Sequence, residues 1–451
     1  MTVSTITGTS SSSATAPAGR QVSEAVRPAA RFLDQLLEGY TPRDFAMRFW
    51  DGSFIDPDPG QPARFTLVFN HPGTVRQAFW PTNKSAFGEA YMYDDFDILG
   101  DAHAVIRMLS NLPARRLSIL EKVNLFEQLS ALPDQPRPRP GQKGAQLKGD
   151  RRTPERDKQA VEYTYDGPPS EFYALCLDKN MQYTCGYFAR TDEDIDTAQL
   201  RKLEHICRKL RLKPGDRLID FGCGWGGLIV YAAKHYGVDA TGVSISQQQI
   251  EWTNREIERE GLGDRCRVVY SDYREFPEDR QFDKAVSVGF IEHLGEKMMP
   301  TFFGKVWRLL REQGLYLHHG ITLTPLVAEA MWSAFALKYV FPDGELVPIT
   351  GTLHQLAQAG FEIRDVESLR EHYIYTLKRW LERLEANHGE AVRLMDEVTY
   401  RIFRIYFAGA IEGFHNHTYN LHQTLVIKSG NQPTDLPLTR DDWYRPWQLS
   451  S

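Results

Sequence analysis

Apolar residues first recur at helical spacing near the start of the chain, where Ala30, Phe32, Leu33, Leu36 and Leu37 share one helix face. The pattern then turns to strand-like runs at 45–50 and 65–69. A segment Gly88-Glu89-Ala90-Tyr91-Met92 follows, and then an amphipathic helical stretch over 104–132 interrupted at Pro113. These elements predict a small α+β domain over 22–132. Past residue 160 helical and strand patterns alternate up to about 429: a helix at 200–212, a turn at 214–216, a buried strand at 217–221 and a helix at 228–236. Further strands follow at 239–243 and 268–270. Such alternation predicts a doubly wound α/β domain over 161–429.

Between the two, residues 133–160 shift to Pro, Gly, Lys, Arg and Gln, too polar to bury a core, and read as a basic linker. Residues 1–21 are Ser-, Thr- and Ala-rich and read as a disordered tail, and 430–451 as a polar tail.

With 42% hydrophobic side chains, a chain of 451 residues supports two such domains. A net charge of −6 gives no overall attraction to nucleic acid, so none is expected as a partner. The five cysteines form no C-x-x-C pair and no cluster with histidine at metal-ligand spacing, which points away from disulfides and metal and toward a reducing cytoplasm. No stretch approaches the roughly 20 apolar residues that span a bilayer.

Chemistry concentrates behind the strand at 217–221. It ends in Asp220, after which Gly222-Cys223-Gly224-Trp225-Gly226-Gly227 opens a helix. Strand, glycine loop and helix let backbone approach a nucleotide at the carboxyl edge of a parallel sheet. A dinucleotide is the competing reading, but a carboxylate at Asp220 repels a pyrophosphate and attracts an amino group. The next strand runs into Ser244, Ser246 and Gln249, neutral hydrogen-bonding groups where ribose hydroxyls would lie. One strand later, Asp272 and Tyr273 offer a carboxylate and a ring for an adenine. The three strand ends read together as a site for S-adenosylmethionine.

The same residues resemble the cyclopropane fatty acid synthases and mycolic acid methyltransferases, over about 65–428. The motifs that carry it are Met181-Gln182-Tyr183-Thr184-Cys185-Gly186-Tyr187-Phe188, the Asp220 to Gly226 loop, Gly242-Val243-Ser244-Ile245-Ser246 with Gln249, and Ser287-Val288-Gly289-Phe290-Ile291-Glu292-His293-Leu294-Gly295. To these add His319-Gly320-Ile321, Phe341-Pro342-Asp343-Gly344 and Tyr373 to Trp380, with Tyr406, Phe414 and Gln423 downstream.

The resemblance implies a seven-strand class I S-adenosylmethionine methyltransferase domain behind a smaller, lipid-engaging N-terminal domain. It also implies methyl(ene) transfer to double bonds of phospholipid acyl chains, giving cyclopropanes, with bound bicarbonate taking up the proton. By the same resemblance Glu292, His319 and Tyr373 hold bicarbonate with side chains, and Cys185 and Ile321 with backbone groups. Tyr183 and Thr184 close over the cofactor beside Asp220, Gly222, Cys223, Gly224, Trp225 and Gly226. The sequence departs from the family at Thr164-Tyr165-Asp166, where His-Tyr-Asp is usual, and at Ala410, where many members carry cysteine. Methylation without ring closure, giving a methylene- or methyl-branched chain, is the alternative product.

An isolated alkene methylates through positive charge on carbon, which aromatic faces stabilise without reacting. Tyr183, Tyr187, Phe188, Phe290, Tyr316, Tyr339, Phe341, Tyr373, Tyr406 and Phe414 are the candidates. His318 is expected on the opposite strand face from His319, with no role. For access to lipid, the helical stretch has an apolar face edged by Arg115, Arg116 and Lys122. The linker adds Arg137, Arg139, Lys143, Lys148, Arg151 and Arg152. Both suit an anionic membrane surface, and a peripheral place on the inner face of the membrane is expected. A homodimer is left open.

Overall fold

The computed structural model describes residues 19–80, 85–112, 117–139, 143–324, 331–430 and 433–445. By their internal contacts these divide into two units, Met1–Trp80 with Asp94–Arg137, and Pro81–Tyr93 with Pro138–Ser451.

The first unit holds five strands, β1 (Arg20–Gln21), β2 (Phe45–Arg48), β3 (Phe54–Ile55), β4 (Phe65–Phe69) and β5 (Phe96–Gly100), in the order β1-β3-β2-β4-β5. Only β2 and β4 run parallel; Phe45 and Phe65, paired across them, stack at 4.8 Å. The helix Arg27–Leu36 buries Ala29, Ala30, Phe32 and Leu33, the face its spacing predicts. The stretch expected as one broken helix is two, Ala102–Asn111 and Ile119–Ala131; Pro113 lies outside the described residues. The second helix starts at Ser118, whose side chain and that of Glu121 cap each other's backbone, a Ser-x-x-Glu capping box. Of the expected tail, residues 1–18 lie outside the described set, while Arg20–Gln21 pair with β3.

The second unit is built on seven strands: β6 (Arg217–Phe221), β7 (Asp239–Ser244), β8 (Cys266–Tyr270), β9 (Phe282–Val288), β10 (Leu310–Leu323), β11 (Glu362–Ser368) and β12 (Tyr419–Ile427). Their order is β11-β12-β10-β9-β6-β7-β8, with β12 antiparallel to both its neighbours and the pairs from β10 to β8 all parallel. The first strand of this unit, β6, therefore lies where the order reverses, the place in an open α/β sheet where ligands bind beyond the carboxyl ends. This is the class I methyltransferase architecture.

Alternation along each strand sorts side chains to the two faces. Leu218, Val286, Leu315, Leu317, Leu425 and Ile427 join one buried cluster with Leu203, Ile206 and Cys207 of the helix Ile195–Lys209. Ile219, Phe221, Ala285, Tyr316 and Val426 join the other. By this parity Asp220, His319 and Gln423 all point to the first face.

Three segments differ from the sequence expectation. The helix Ala86–Met92, expected in the N-terminal domain, belongs to the second unit. All seven of its residues are buried, Glu89 pairs with Arg139 and Lys338, and the Arg401 guanidinium lies 5.2 Å over the Tyr91 ring. The linker 133–160 ends in a helix, Pro154–Val161, that starts on a Thr153 cap. The polar tail docks through Trp443, only 5% exposed in the core beside Lys209. In each case a few side chains inside a polar stretch find partners distant in sequence, which local composition does not reveal.

Candidate active site

Beyond β6 the backbone turns left-handed at Gly222, Gly224 and Gly226, with φ of 72°, 56° and 81°. A Cβ on Gly222 would sit 2.5 Å from the Phe290 ring, and one on Gly226 2.3 Å from Thr253 of the helix Gln247–Arg259. Glycine is thus required by both conformation and close packing. The loop borders a cavity of roughly 1190 Å³, including space open to solvent.

Eleven of the thirteen expected cofactor residues line it: Tyr183, Thr184, Asp220, Gly222, Cys223, Gly224, Trp225, Ser244, Gln249, Asp272 and Tyr273. The other two, Gly226 and Ser246, do not. Gly226 is consumed by packing on Thr253, and Ser246 caps the helix Gln247–Arg259 and bonds to Asp166. The Ser244 hydroxyl donates to Gln249 Oε1 at 2.9 Å, so these two act as one preset pair. Asp272 is gripped by Arg274, whose guanidinium reaches both carboxylate oxygens, at 2.8 and 2.6 Å. Oδ1 also accepts the Arg274 backbone N–H at 2.8 Å, so it is Oδ2 that keeps a second lone pair for a ligand donor.

Asp220 is a buried carboxylate among the apolar residues Leu218, Ile219 and Phe221 of β6. Its Oδ1 has no hydrogen-bond partner, and burial raises its pKa to about 7, opposed by the charge of Lys202. Lys202, itself fully buried and pushed down to about 8 by burial, donates to Gln182 Oε1 and, at 2.9 Å, to Thr184 Oγ1. It ties the Tyr183–Thr184 segment down beside Asp220.

The expected catalytic group lies deeper and does not line this cavity. Glu292 sits on the turn Ile291–His293 after β9, half-buried but with Oε2 turned into the interior, and its pKa is raised by burial to about 7. Its Oε1 accepts the Ile321 backbone N–H at 2.7 Å, while Oε2 has no partner. Ile321, whose backbone the resemblance assigns to bicarbonate, directs its N–H from β10 to the Glu292 carboxylate. No ion pair joins Glu292 to its neighbour His293, whose ring bonds Tyr165 at 2.9 Å and lines the cavity.

His319 on β10 has Nδ1 3.1 Å from Gln423 Nε2 and leaves Nε2 unpartnered in the interior. Burial, followed by the nearby Lys202 charge, holds its pKa far below the ordinary value, so the ring is neutral. Tyr373 is buried, its pKa raised by burial and further by Tyr406, Cys185 and Glu292, which are therefore close by. The Cys185 thiol, near the Gly186 carbonyl, is likewise pushed up by burial and stays protonated. His318, as expected, faces away, packing on Phe303 and near Ser287 and Tyr316.

Of the candidate rings, Tyr183, Phe341, Tyr373, Tyr406 and Phe414 form a connected set with Trp380. Tyr373 lies 4.6 Å from Phe414 and 6.0 Å from Trp380, Tyr183 5.1 Å from Trp380 and 6.2 Å from Phe341, and Phe341 5.7 Å from Tyr406. Phe290 packs beside Tyr273, while Tyr187 lies against His205 and His372, Phe188 against Tyr375, Tyr339 against Phe335, and Tyr316 in the core. Sequence reasoning missed Tyr165, His293, Lys202 and Lys209. The lysines had a signal, two cations seven residues apart on the apolar face of one predicted helix.

A family model described as mycolic acid cyclopropane synthetase matches residues 152–424, and a domain of unknown function, DUF7884, matches 32–117. The chain belongs to the mycolic acid cyclopropane synthetase family. It is 36% identical over 403 residues to a probable fatty acid methyltransferase of Pseudomonas putida, covering 88% of this chain and 96% of that one. With the cyclopropane-fatty-acyl-phospholipid synthase of Escherichia coli K12 it shares 34% identity, over 57% of this chain and 65% of the other. The crystal structure of mycolic acid cyclopropane synthase CmaA1 complexed with SAH and CTAB superposes with a TM-score of 0.57 at 30% identity, covering 60% of this chain and 98% of that one. The chain is thus an S-adenosylmethionine-dependent methyltransferase of the cyclopropane fatty acid synthase family.

Proposed function

We propose that this enzyme modifies the double bond of unsaturated acyl chains in membrane phospholipids, closing a cyclopropane with a small bound anion, bicarbonate, as the proton acceptor. The observation that carries the reading is a pair of buried, unpartnered polar atoms, Glu292 Oε2 and His319 Nε2, beside a wall of aromatic rings. Buried polar groups without partners are rare and call for a ligand. Asp220 Oδ1 and the Tyr273 hydroxyl are orphaned in the same way in the cofactor cavity, where a Cβ at Gly222 would strike Phe290. The residues present therefore fit both groups.

S-adenosylmethionine, when bound, supplies an electrophilic methyl group. Asp220 would hold its amino group, and a cation there favours the ionised carboxylate that burial opposes. Ser244 with Gln249, and Asp272 with Tyr273, would hold the ribose and adenine. Tyr373, Phe414, Tyr406 and Phe341 turn π faces to an acyl carbon on which positive charge builds. Glu292, pushed to about 7, sits where a carboxylate shares a proton with a neighbouring oxyanion. His319, neutral, offers one ring nitrogen, and Tyr373 a hydroxyl that stays protonated. The Cys185 backbone would complete the anion's surroundings.

A second reading has one observation in its favour, the name of the Pseudomonas putida relative: methylation without ring closure, giving a branched chain. Both share the first bond formed and differ in which proton leaves.

For the membrane, among the described residues no helix is long and apolar enough to cross a bilayer. Of the linker cations, Arg139, Lys143, Arg151 and Arg152 pair with Glu89, Asp396, Asp343 and Glu345, which leaves less free charge for a membrane than the composition suggests. We place leaflet contact, on the inner face of the membrane, at the helix Ile119–Ala131, which exposes Ile119, Leu120, Val123 and Phe126.

The test is to incubate the protein with S-adenosylmethionine and monounsaturated phospholipid vesicles and examine the acyl chains by mass spectrometry and proton NMR. Cyclopropane methylene protons are expected. Branched products would favour the second reading, and unmodified chains would overturn both.

A further inference from the structure

One row of side chains behind His319 does no work in the mechanism above. The register places His319 of β10 directly opposite Gln423 of β12, and Gln423 directly opposite Glu367 of β11. Over this row lies the last turn of the helix Ile195–Lys209, which delivers the fully buried Lys209. Its ammonium donates to Gln423 Oε1 at 3.0 Å and pairs with Glu367. Glu367 also accepts from His205 Nε2 at 2.8 Å and from the Tyr187 hydroxyl at 3.1 Å. Burial opposes the charge on Glu367, but the His205 hydrogen bond and Lys209 outweigh it and draw the pKa down to about 2. Burial lowers the Lys209 pKa, and the two carboxylates within ion-pair reach of its ammonium, Glu367 and Asp365, oppose that and hold the charge.

An ammonium has donors only. The end of the Gln423 amide that faces Lys209 must therefore be the oxygen, and the end that faces His319 must be the NH₂. An NH₂ group can only donate, so His319 Nδ1 must be the acceptor and carry no proton. A neutral ring has a single proton, which is left to Nε2, the atom with no protein partner. We infer that Lys209, acting through Gln423, is a positioning residue that fixes the tautomer of His319, making Nε2 a hydrogen-bond donor and not a base. This rests on the reading of His319 as an anion holder: an oxyanion needs a donor there, and the other tautomer would set a lone pair against it.

The inference is tested on the full chain with ¹⁵N-histidine label, by two-bond ¹H–¹⁵N correlation spectra that report which ring nitrogen bears the proton. Wild type should show His319 protonated at Nε2. Gln423→Glu keeps a partner for Lys209 but accepts from the ring, so it should move the proton to Nδ1 without lowering the melting temperature. Lys209→Met should release the amide to turn and give a mixture of tautomers, and Lys209→Arg should restore Nε2–H. Wild type protonated at Nδ1, or the same tautomer in Gln423→Glu, would overturn the inference, as would a Lys209→Met spectrum like wild type. Turnover separates it from the reading it rests on. Gln423→Glu should lose on the order of 10²-fold, as for removal of one oxyanion donor. A proton moved with turnover unchanged would leave tautomer control standing and take His319 out of the anion's surroundings.

Discussion

The two halves of the site are built in opposite ways. On the side of β6, β7 and β8, each cofactor residue lies within a few positions of its strand end, on a loop of near-neighbours: Asp220 with Gly222, Ser244 with Gln249, Asp272 with Arg274. On the side of β10, β12 and β11, the working atoms are held by residues far away in sequence, Ile321 on Glu292, Gln423 on His319 and Lys209 on Gln423. Local construction makes a binding site that tolerates a wet, open cavity. Long-range construction makes a dry one, in which each polar atom is either fixed by a partner or left for a ligand.

This difference can be broken at each end. The largest effect is expected from Glu292→Gln, which keeps the Ile321 hydrogen bond but removes the charge. It should lower kcat by about 10²–10⁴-fold, the range of general acid–base contributions, and leave cofactor affinity by calorimetry nearly unchanged. Asp220→Asn should do the reverse, weakening cofactor binding by about 1.5–3 kcal/mol, the worth of a hydrogen bond to a charged group. It should also raise the melting temperature of the ligand-free protein at pH 7, because a buried carboxylate without a partner is removed. A variant that bound cofactor normally would remove Asp220 from its assigned place.

Proton linkage gives a third expectation. The pKa of Asp220 is raised from 3.8 to about 7, so between those values the folded protein binds more protons than the unfolded chain. Its contribution to stability therefore falls as pH rises through that window. Asp220→Asn should flatten this part of the curve of stability against pH. Cofactor affinity runs the other way, weakening as pH drops below about 7 and the carboxylate takes up its proton.

The same contrast explains what was legible in the sequence. The glycine loop and the strand ends beside it were readable because turn chemistry and ligand chemistry occupy the same few residues. The wide α/β alternation gave the doubly wound domain for a similar reason. The Ile321 N–H bond to Glu292 and the place of Lys209 were not legible, because they are set by the fold of β10 and by a helix laid across the sheet. Residues 86–92 and Trp443 were misassigned for the same cause: short segments in polar or mixed surroundings bury themselves against elements hundreds of positions away. In the basic linker, composition showed the charge but not that Arg139, Lys143, Arg151 and Arg152 have acidic partners far along the chain.

A smaller effect distinguishes the linker from the exposed helix. Leu120→Ser with Phe126→Ser should reduce partitioning onto anionic vesicles several-fold, on the scale of about 1 kcal/mol of buried apolar surface. Turnover on detergent-dispersed lipid should stay as it was. Arg152→Gln, by contrast, should lower the melting temperature, since this side chain is 6% exposed and holds both Glu345 and the His293 carbonyl. Vesicle binding should not change with it. Loss of vesicle binding in Arg152→Gln at an unchanged melting temperature would return the membrane role to the linker.

The central claim is that Glu292 and His319 hold a diffusible anion that takes up the proton. It is tested most directly by measuring initial rates on monounsaturated phospholipid in buffer stripped of carbon dioxide, with bicarbonate then added back. The account predicts a low rate that rises and saturates with bicarbonate, and little response in Glu292→Gln. Full turnover in the stripped buffer, unchanged by added bicarbonate, would contradict it.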